Sequence, residues 1–337
     1  MKKFAQDHDP YYETRVLVLG ASGFIGRWVA RGLCKRGARV SLVVRNKQAA
    51  DEIFFAYGIY GDVFEVDLEN LEAVAQLLWR VRPSIIFNLA GYGMNREERD
   101  ARAAFQINSH LVEVLAETAR KTRDSEWRGQ DILHVGSPLE YGTIGGSLSE
   151  DSIPQPTTLY GMSKLAGTES LARLCKTYNI KGLTARVFTV YGPGEPSRRL
   201  LPSLLRIEKT GSTLPLTSAE QKRDFVYVED VSEGLLRLGI AQSAPGEVVN
   251  LATGRLTSVR VFAETVAKIL GISDDKLNFG KLPPLPEEMH HSEVTTERLR
   301  RLIGWIPSTG IEEGIRKTIA GIPTPHSRLT VCQTPDG

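Results

Sequence analysis

The feature that most constrains this chain is a glycine-rich turn between a short apolar run and a helical pattern. In VLVLGASGFIG, glycines stand at positions 20, 23 and 26, directly after the apolar run at 16–19. Small residues let the backbone approach a pyrophosphate, whose charge is favoured by the free amides and positive dipole end of the following helix. The strand, turn and helix together therefore predict a dinucleotide site. Its contacts are expected from Gly20, Ser22, Gly23, Phe24, Ile25 and Gly26.

Short apolar runs alternate with longer helical patterns from Arg15 to Phe188. This alternation is typical of repeated βαβ units around a parallel sheet, so we expect an α/β fold with a doubly wound parallel sheet. The first helix is predicted over residues 24–36, with Gly37 as its stop. The predicted strands are VLVL (16–19), VSLVV (40–44), VFEV (63–66), SIIFNLA (84–90), DILHVG (131–136) and LTARVF (183–188).

The pattern changes after Tyr191 to Pro and Gly turns, short helices such as LLPSLLRI and a strand-like RDFVYV. This change indicates a smaller, substrate-facing lobe. The predicted organisation is an N-terminal extension (1–14), a dinucleotide-binding domain (15–188) to which part of 224–252 returns, a mainly substrate-binding domain (189–322) and a tail (323–337).

Composition excludes several classes of protein. The chain has 337 residues, 41% of them hydrophobic, which is enough for a full core. With 42 Lys and Arg against 40 Asp and Glu, the net charge of +2 is too small to favour nucleic acid. Three distant cysteines and the adjacent His290 and His291 match no disulfide framework or metal spacing. The charged N-terminus and the lack of a long apolar run predict neither a signal sequence nor a membrane span, and hence a cytoplasmic protein.

The end of the second strand indicates which dinucleotide is bound. A carboxylate is usual there when NAD is bound, because it accepts hydrogen bonds from the adenosine ribose. This chain has Arg45 instead, which could pair with the 2′-phosphate of NADP, with Lys47 as a second cation. We therefore expect NADP(H), with NAD(H) as the alternative. After the third strand, Asp67 and Leu68 could bracket the adenine, and Asp67 could also be the N-cap of the next helix.

A tyrosine and a lysine four residues apart begin a later amphipathic helix that is predicted to run to about Tyr178. At this spacing the side chains of Tyr160 and Lys164 share a helix face and can enter one cleft. A phenol is a poor acid–base catalyst near neutral pH unless positive charge stabilises its anion. Ser137 follows the fifth strand, where its hydroxyl can bind a reacting oxygen. These three residues form the predicted catalytic set.

In chain order, the segments GASGFIG, NLAG, Asn108, Ser137, YGMSK, RDFVYVEDV and NLATG resemble the extended short-chain dehydrogenase/reductase family of nucleotide-sugar epimerases and dehydratases. The resemblance covers nearly the whole chain. It implies a Rossmann domain with a small C-terminal substrate-binding domain, a Ser-Tyr-Lys catalytic set and a homodimer formed by helices of the cofactor domain. It further implies that Asn108 orders the active-site helix and that Lys164 and Tyr160 also contact the cofactor. In NLAG, it places the cofactor beside Leu89, Ala90 and Gly91.

The residues after Ser137 narrow the reaction. In related dehydratases the catalytic hydroxyl is followed by Asp-Glu, and related decarboxylases have a glutamate at the second of these positions, but this chain has Pro138 and Leu139. Glu140 is one place later, and a one-residue shift along an extended chain reverses the side-chain direction. Dehydration and decarboxylation therefore lose their catalyst, which leaves ketone reduction, alcohol oxidation or epimerisation. Because Arg45 favours NADPH, the preferred reaction is reduction of a 4-keto-deoxysugar nucleotide by NADPH. An NAD-dependent 4-epimerase, a small-carbonyl reductase and a non-catalytic dinucleotide sensor remain as alternatives.

The substrate is expected to be a nucleoside-diphosphate sugar. In proteins of similar sequence, the arginine of the RDF segment contacts the diphosphate, and Arg223 matches it. Two positions depart from the family pattern. Thr189 replaces the usual asparagine, and Leu285 stands about where a second phosphate-binding arginine is expected. Ser137, Thr189 and Arg223 are the predicted substrate contacts.

Overall fold

A computed structural model of the chain describes residues 9–94, 97–283 and 291–321. Its centre is a sheet of seven parallel strands in the order β11-β7-β5-β4-β1-β2-β3. The strands of the described residues are β1 (Arg15–Leu19), β2 (Arg39–Val44), β3 (Asp62–Glu65), β4 (Ile85–Asn88), β5 (Ile132–Gly136), β6 (Ser147–Leu148), β7 (Gly182–Val187), β8 (Thr189–Tyr191), β9 (Leu214–Pro215), β10 (Lys222–Tyr227), β11 (Glu247–Leu251), β12 (Leu256–Ser258), β13 (Leu277–Asn278) and β14 (Glu293–Val294).

The helices cover both faces of this sheet and build the smaller lobe. They are α1 (Phe24–Lys35), α2 (Lys47–Tyr57), α3 (Leu71–Val81), α4 (Ala101–Phe105), α5 (Leu111–Thr122), α6 (Leu159–Tyr178), α7 (Leu200–Thr210), α8 (Val228–Ile240), α9 (Val259–Leu270), α10 (Glu297–Ile303) and α11 (Ile311–Ala320). A π-helical turn spans Gln106–His110, and two 3₁₀ turns span Pro138–Glu140 and Asp274–Lys276.

Alternate side chains along each central strand enter different cores. On β1, Val16 and Val18 pack with α1 and α8, whereas Leu17 and Leu19 pack with α3 and α5 on the other face. Because both faces are covered, the inner strands β1, β2 and β4 are mainly apolar, as in other buried parallel sheets. Each buried valine or leucine contributes about 1.5–3 kcal/mol relative to full exposure. The predicted fold class, a doubly wound α/β sheet, is confirmed.

The smaller lobe follows β7 and contains a three-stranded sheet in the order β12-β10-β8. Phe225 of β10 stacks on Phe262 of α9, with ring centroids 4.2 Å apart, which joins this sheet to its helix. The chain then returns to the large sheet, because α8 packs against α1 and β11 pairs with β7. The strand-like RDFVYV lies in β10, and LLPSLLRI begins α7.

Tyr11 lies before β1, in the part of the chain that the sequence analysis treats as an extension. Its side chain is buried, its ring lies beside Phe87 and Trp127, and its hydroxyl donates to the Leu236 carbonyl at 2.7 Å. Residues 9–14 are thus packed onto the large domain. The predicted tail at 323–337 lies outside the described residues. Within the described ranges, every helix is too short or too polar to span a bilayer.

Candidate active site and cofactor cleft

A cleft of about 350 Å³ lies at the carboxyl ends of β1, β2 and β4, above the start of α1. Ligands of open parallel sheets bind at this edge. Most of the predicted cofactor contacts line it: Gly20, Ser22, Gly23, Arg45, Asp67, Leu68, Leu89, Ala90 and Gly91. Phe24, Ile25 and Gly26 form the first turn of α1, at the glycine-rich end of the cleft. The residues fit the adenosine and phosphate half of a dinucleotide.

Gly26 shows why the turn needs small residues. A Cβ at this position would overlap the carbonyl oxygen of Gly20. The turn therefore folds tightly back onto α1, and the first amides of the helix remain available to an anion.

Arg45 lines the cleft at the end of β2, is exposed, and makes no hydrogen bond or ion pair with another described residue. Lys47 does not line the cleft. Its ammonium pairs with Asp51 at 3.2 Å, one helical turn further along α2. Of the two cations, only Arg45 is thus placed to meet a phosphate in this cleft.

The structure corrects one expectation about Asp67. The N-cap of α3 is Asn70, whose side chain accepts a hydrogen bond from the Ala73 N–H at 3.1 Å. Asp67 instead accepts from the Glu69 N–H at 3.0 Å within the preceding turn. The helix starts later than the sequence pattern indicates, because Asn70 is the better-placed cap. Asp67 still lines the cleft beside Leu68.

Tyr160 and Lys164 lie in the first two turns of α6, whose N-terminus is capped by the Thr158 side chain. The Lys164 ammonium lies 6.0 Å from the centre of the Tyr160 ring. It donates to the carbonyls of Ala90 at 3.0 Å and Val135 at 3.1 Å, at the ends of β4 and β5. The predicted tyrosine and lysine therefore meet where the cofactor cleft ends.

Ser137 joins them from the end of β5. Its hydroxyl accepts a hydrogen bond from the Leu139 N–H at 3.2 Å. Burial raises the pKa of the Tyr160 phenol, and a hydrogen bond with the Ser137 side chain opposes part of this increase. Because Ser137 is buried, these two contacts set the direction of its hydroxyl. The structure thus brings the three predicted catalytic side chains together, although they come from different elements.

Glu140 was expected to point away from the site because it stands one place further along an extended chain. That reason is wrong. Pro138–Glu140 is a 3₁₀ turn and not an extended segment. In this turn the Glu140 side chain folds back to the Ser137 N–H at 2.8 Å, and it is completely buried. The Leu139 side chain packs against the apolar core.

Burial dominates the ionisation of the site. It raises the pKa of Tyr160 well above its ordinary value, with the Glu140 carboxylate adding to the increase and Arg199 opposing it. Burial also lowers the pKa of Lys164 to about 8, against the opposing effect of Glu140. A lysine that titrates near neutral pH can exchange protons during turnover.

Asn108 lies in the π-helical turn between α4 and α5. Its side-chain oxygen accepts from the Tyr92 N–H at 3.1 Å. Its side-chain nitrogen donates to the Tyr92 carbonyl and to the Ser163 hydroxyl, both at 2.8 Å. It therefore connects the end of the cofactor cleft to α6. Gly167 allows this contact, because a Cβ there would overlap the Asn108 carbonyl oxygen. π-Helical turns often mark functional sites.

A second cavity, of about 210 Å³, lies in the smaller lobe and contains two of the predicted substrate contacts, Thr189 and Arg223. Its lining also includes Glu195 and Arg199, which the sequence analysis did not single out. The nearest approach of these two side chains is 3.8 Å, and the Glu195 side chain is only 6% exposed. Burial raises the pKa of Glu195 to about 7. Leu285 and His290 lie outside the described residues.

Glu98 was also not singled out from the sequence. Glu98 accepts a hydrogen bond from the Gly93 N–H at 2.8 Å, and its charge raises the pKa of Tyr160, although less than burial does. The position of this segment after the fourth strand was the available signal. No group of three metal-binding side chains occurs within 9–94, 97–283 and 291–321.

The chain is similar in sequence to a family of known enzymes. The model of the NAD dependent epimerase/dehydratase family matches residues 16–252. Over 315 residues the chain is 30% identical to dTDP-6-deoxy-L-talose 4-dehydrogenase (NAD(P)(+)) of Kitasatospora kifunensis, covering 90% of this chain and 94% of that protein. It is 27% identical to UDP-glucose 4-epimerase of Mycolicibacterium smegmatis, with 90% and 97% covered.

A solved structure agrees with the fold. The UDP-glucose 4-epimerase of Thermotoga maritima, determined with UDP-glucose, has a TM-score of 0.79 at 24% identity, covering 91% of this chain and 97% of that one. The chain therefore belongs to the NAD dependent epimerase/dehydratase family, within the extended short-chain dehydrogenases/reductases, and is an enzyme of that class.

Proposed function

We propose that this enzyme uses NADP(H) to reduce the 4-keto group of a nucleotide-linked deoxysugar. The observation that carries the proposal concerns the Ser137-Tyr160-Lys164 site. The residues that follow Ser137 in the chain supply no carboxylate to the cleft. Leu139 packs into the core and Glu140 is buried behind Ser137. Ketone reduction needs a single proton donor beside the hydride source, whereas dehydration needs further acid and base groups.

Each catalytic side chain has a distinct part in this reaction. A bound nicotinamide would supply the hydride. The Tyr160 phenol gives its proton to the carbonyl oxygen, which the Ser137 hydroxyl holds in place. Lys164, fixed by the Ala90 and Val135 carbonyls, stabilises the phenolate that results and helps to return its proton.

The relative from Kitasatospora supports this direction of chemistry, because a 4-dehydrogenase working in reverse is a 4-keto reductase. Its name also includes both NAD and NADP. The direct test supplies NADPH and a nucleoside-diphosphate 4-keto-6-deoxysugar and follows loss of absorbance of the reduced cofactor. Tightly retained NAD in the purified protein, found by mass spectrometry, together with interconversion of 4-epimers, would instead establish the 4-epimerase alternative.

Arg45 provides the first mutational test. We expect Arg45→Ala to weaken NADPH binding roughly 10- to 100-fold and NADH binding far less, because a charge-assisted phosphate contact contributes about 1.5–3 kcal/mol. Titration of both cofactors by fluorescence would measure the difference. Lys47→Ala is the matched control, since Lys47 pairs with Asp51 away from the cleft, and both affinities should persist. Unchanged NADPH binding in Arg45→Ala would refute the NADP assignment.

Arg223 tests the substrate class. If its guanidinium holds a diphosphate, Arg223→Ala raises KM for the sugar nucleotide roughly 10-fold or more and leaves cofactor affinity unchanged. A small uncharged ketone should be reduced as well as before. Arg260→Ala is the control, because this arginine pairs with Glu220 outside the second cavity. Equal loss with both substrates would favour the small-carbonyl reductase, and nucleoside diphosphates would then not compete.

The homodimer and the cytoplasmic location belong to the same proposal. The family resemblance supports the homodimer, and analytical ultracentrifugation would test it. A species that sediments as a monomer at micromolar concentration would remove it.

A further inference from the structure

Glu140 is the one carboxylate among the described residues that is completely buried beside the catalytic set. One oxygen accepts the Ser137 N–H at 2.8 Å. The other accepts the Thr168 hydroxyl at 3.1 Å and pairs with the Arg186 Nε at 2.9 Å. A carboxylate enclosed in this way cannot touch substrate, so any catalytic effect must act through its neighbours.

These contacts connect three elements. Ser137 and Glu140 cap the 3₁₀ turn reciprocally: the serine hydroxyl accepts from the Leu139 N–H while the glutamate accepts from the serine N–H. Thr168 lies one turn after Lys164 on α6, and Arg186 lies on β7. The single side chain of Glu140 thus ties the serine turn to the catalytic helix and to the sheet.

The negative charge of Glu140 also affects the ionisation of Lys164. Arg186 and Lys164 are both cations with 3% or less of their surface exposed. Glu140 pairs with Arg186, and its negative charge also raises the pKa of Lys164. The guanidinium of Arg186 also stacks on the Tyr141 ring, 4.3 Å from its centre. Without the Glu140 charge, burial would act on Lys164 unopposed and would favour loss of its proton.

We propose that Glu140 is a positioning residue, which fixes the Ser137 hydroxyl in the turn and supplies the buried negative charge against which Lys164 keeps its proton. The inference rests on the proposed Ser-Tyr-Lys function. It assigns a role to the carboxylate that follows Pro138 and Leu139, the two positions where related dehydratases have acids.

The other charged groups around Tyr160 and Lys164 do not replace this charge. Arg199 approaches Tyr160 from the segment before α7 and favours the phenolate, whereas Glu98 opposes it from the segment after β4. His134 on β5 is neutral, because burial, with help from Lys164, holds its pKa well below the ordinary value. Glu113 pairs with Arg173, more than two turns beyond Lys164 on α6. Glu140 is the group whose charge raises the pKa of Lys164.

Glu140 raises the pKa of both Lys164 and Tyr160, against burial for the lysine and together with burial for the tyrosine. Glu140→Gln keeps an oxygen for the Ser137 N–H and removes the charge. Both pKa values should then fall, and the alkaline limb of kcat, where the phenol must still hold its proton, should move to lower pH.

The primary test follows the Lys164 side chain itself, in protein without cofactor or substrate. Lysine labelled with ¹³C at Cε is titrated by NMR, and the Lys164 signal is identified by its loss in Lys164→Gln. In the unmodified protein its midpoint should lie near 8, and in Glu140→Gln it should lie at lower pH. A folded Glu140→Gln protein with an unchanged Lys164 midpoint would overturn the proposal.

Kinetics provide the second readout. We expect kcat in Glu140→Gln to fall roughly 10-fold or more, with KM little changed, because Ser137 and Lys164 act on the transition state. Asp131→Asn is the control: it also removes a buried carboxylate that pairs with an arginine, Arg123, but at the opposite end of β5. The alkaline limb of its kcat–pH profile should lie at the same pH as in the unmodified enzyme. An alkaline limb of kcat at the same pH in Glu140→Gln as in the unmodified enzyme would contradict the proposal.

Glu140→Gln leaves Arg186 without its anion and could unfold the protein. The double variant Glu140→Gln/Arg186→Met removes both charges, and the Lys164 midpoint should still be lowered, because Glu140 is the neighbour that raises it. An unchanged midpoint in the folded double variant would also overturn the proposal. If Lys164 titrates as expected but no 4-keto sugar is reduced, the proposed substrate fails while the role of Glu140 stands.

Discussion

Tyr160→Phe should lower kcat by roughly 100-fold or more and leave the dinucleotide affinity nearly unchanged. The substitution removes only the hydroxyl that gives the proton, and the ring stays in the first turn of α6, beside Lys164 and next to Gly93. Most of the lining of the cofactor cleft comes from other elements, so binding does not depend on the phenol oxygen. Steady-state turnover and cofactor titration on the same preparation measure the two quantities.

Tyr11→Phe is a matched control for this experiment. Tyr11 is also buried and hydrogen-bonded, through its hydroxyl to the Leu236 carbonyl, but it lies far from the site. Its loss should cost about 0.5–1.5 kcal/mol of stability and leave turnover intact. Full activity in Tyr160→Phe would remove the Ser-Tyr-Lys mechanism altogether.

Gly26→Ala should abolish most cofactor binding, with an expected loss of roughly 100-fold or more in affinity. The added Cβ overlaps the Gly20 carbonyl and also comes close to the Ala21 backbone, at 3.1 Å from its Cα, so the glycine turn must move away from α1. Such overpacking costs about 1–3 kcal/mol, and the displaced amides no longer face the phosphates. Isothermal titration with NADPH, beside thermal unfolding, separates lost binding from lost folding.

Gly310→Ala provides the comparison, because Gly310 also stands at a helix N-terminus but a Cβ there meets no atom within 4 Å. Cofactor affinity should be unchanged in that variant. Normal NADPH affinity in Gly26→Ala would mean that the turn does not hold the pyrophosphate, and the cleft would need another occupant.

Much of the fold could be predicted because its signals are local. The six predicted strands and the first helix agree with the structure to within a few residues, since apolar runs and helical periodicity are set by neighbours along the chain. The start of α3 was the least accurate boundary. There Asp67 and Asn70 both carry a capping side chain, and the sequence pattern alone did not separate them.

The candidate site could be predicted only in part. Tyr160 and Lys164 are four residues apart on one helix, so their meeting is a local property, and Ser137 followed from the end of a strand. Lys47 was expected in the cofactor site because of its nearness to Arg45, and in the structure its ammonium pairs with Asp51 on the next turn of α2. Arg199 and Glu195 were missed, because nothing near them in the chain indicates that α7 and β10 enclose them in one cavity.

The sequence by itself determined the βαβ units, the glycine turn, the pairing of Tyr160 with Lys164 on one helix face, and the absence of acids at Pro138 and Leu139. Only the tertiary structure decided the surroundings of Glu140. Its partners Thr168 and Arg186 lie 28 and 46 residues away along the chain. A local pattern records which side chains share an element, whereas the free energy of a buried charge depends on whichever elements pack around it. For Glu140, those elements are α6 and β7.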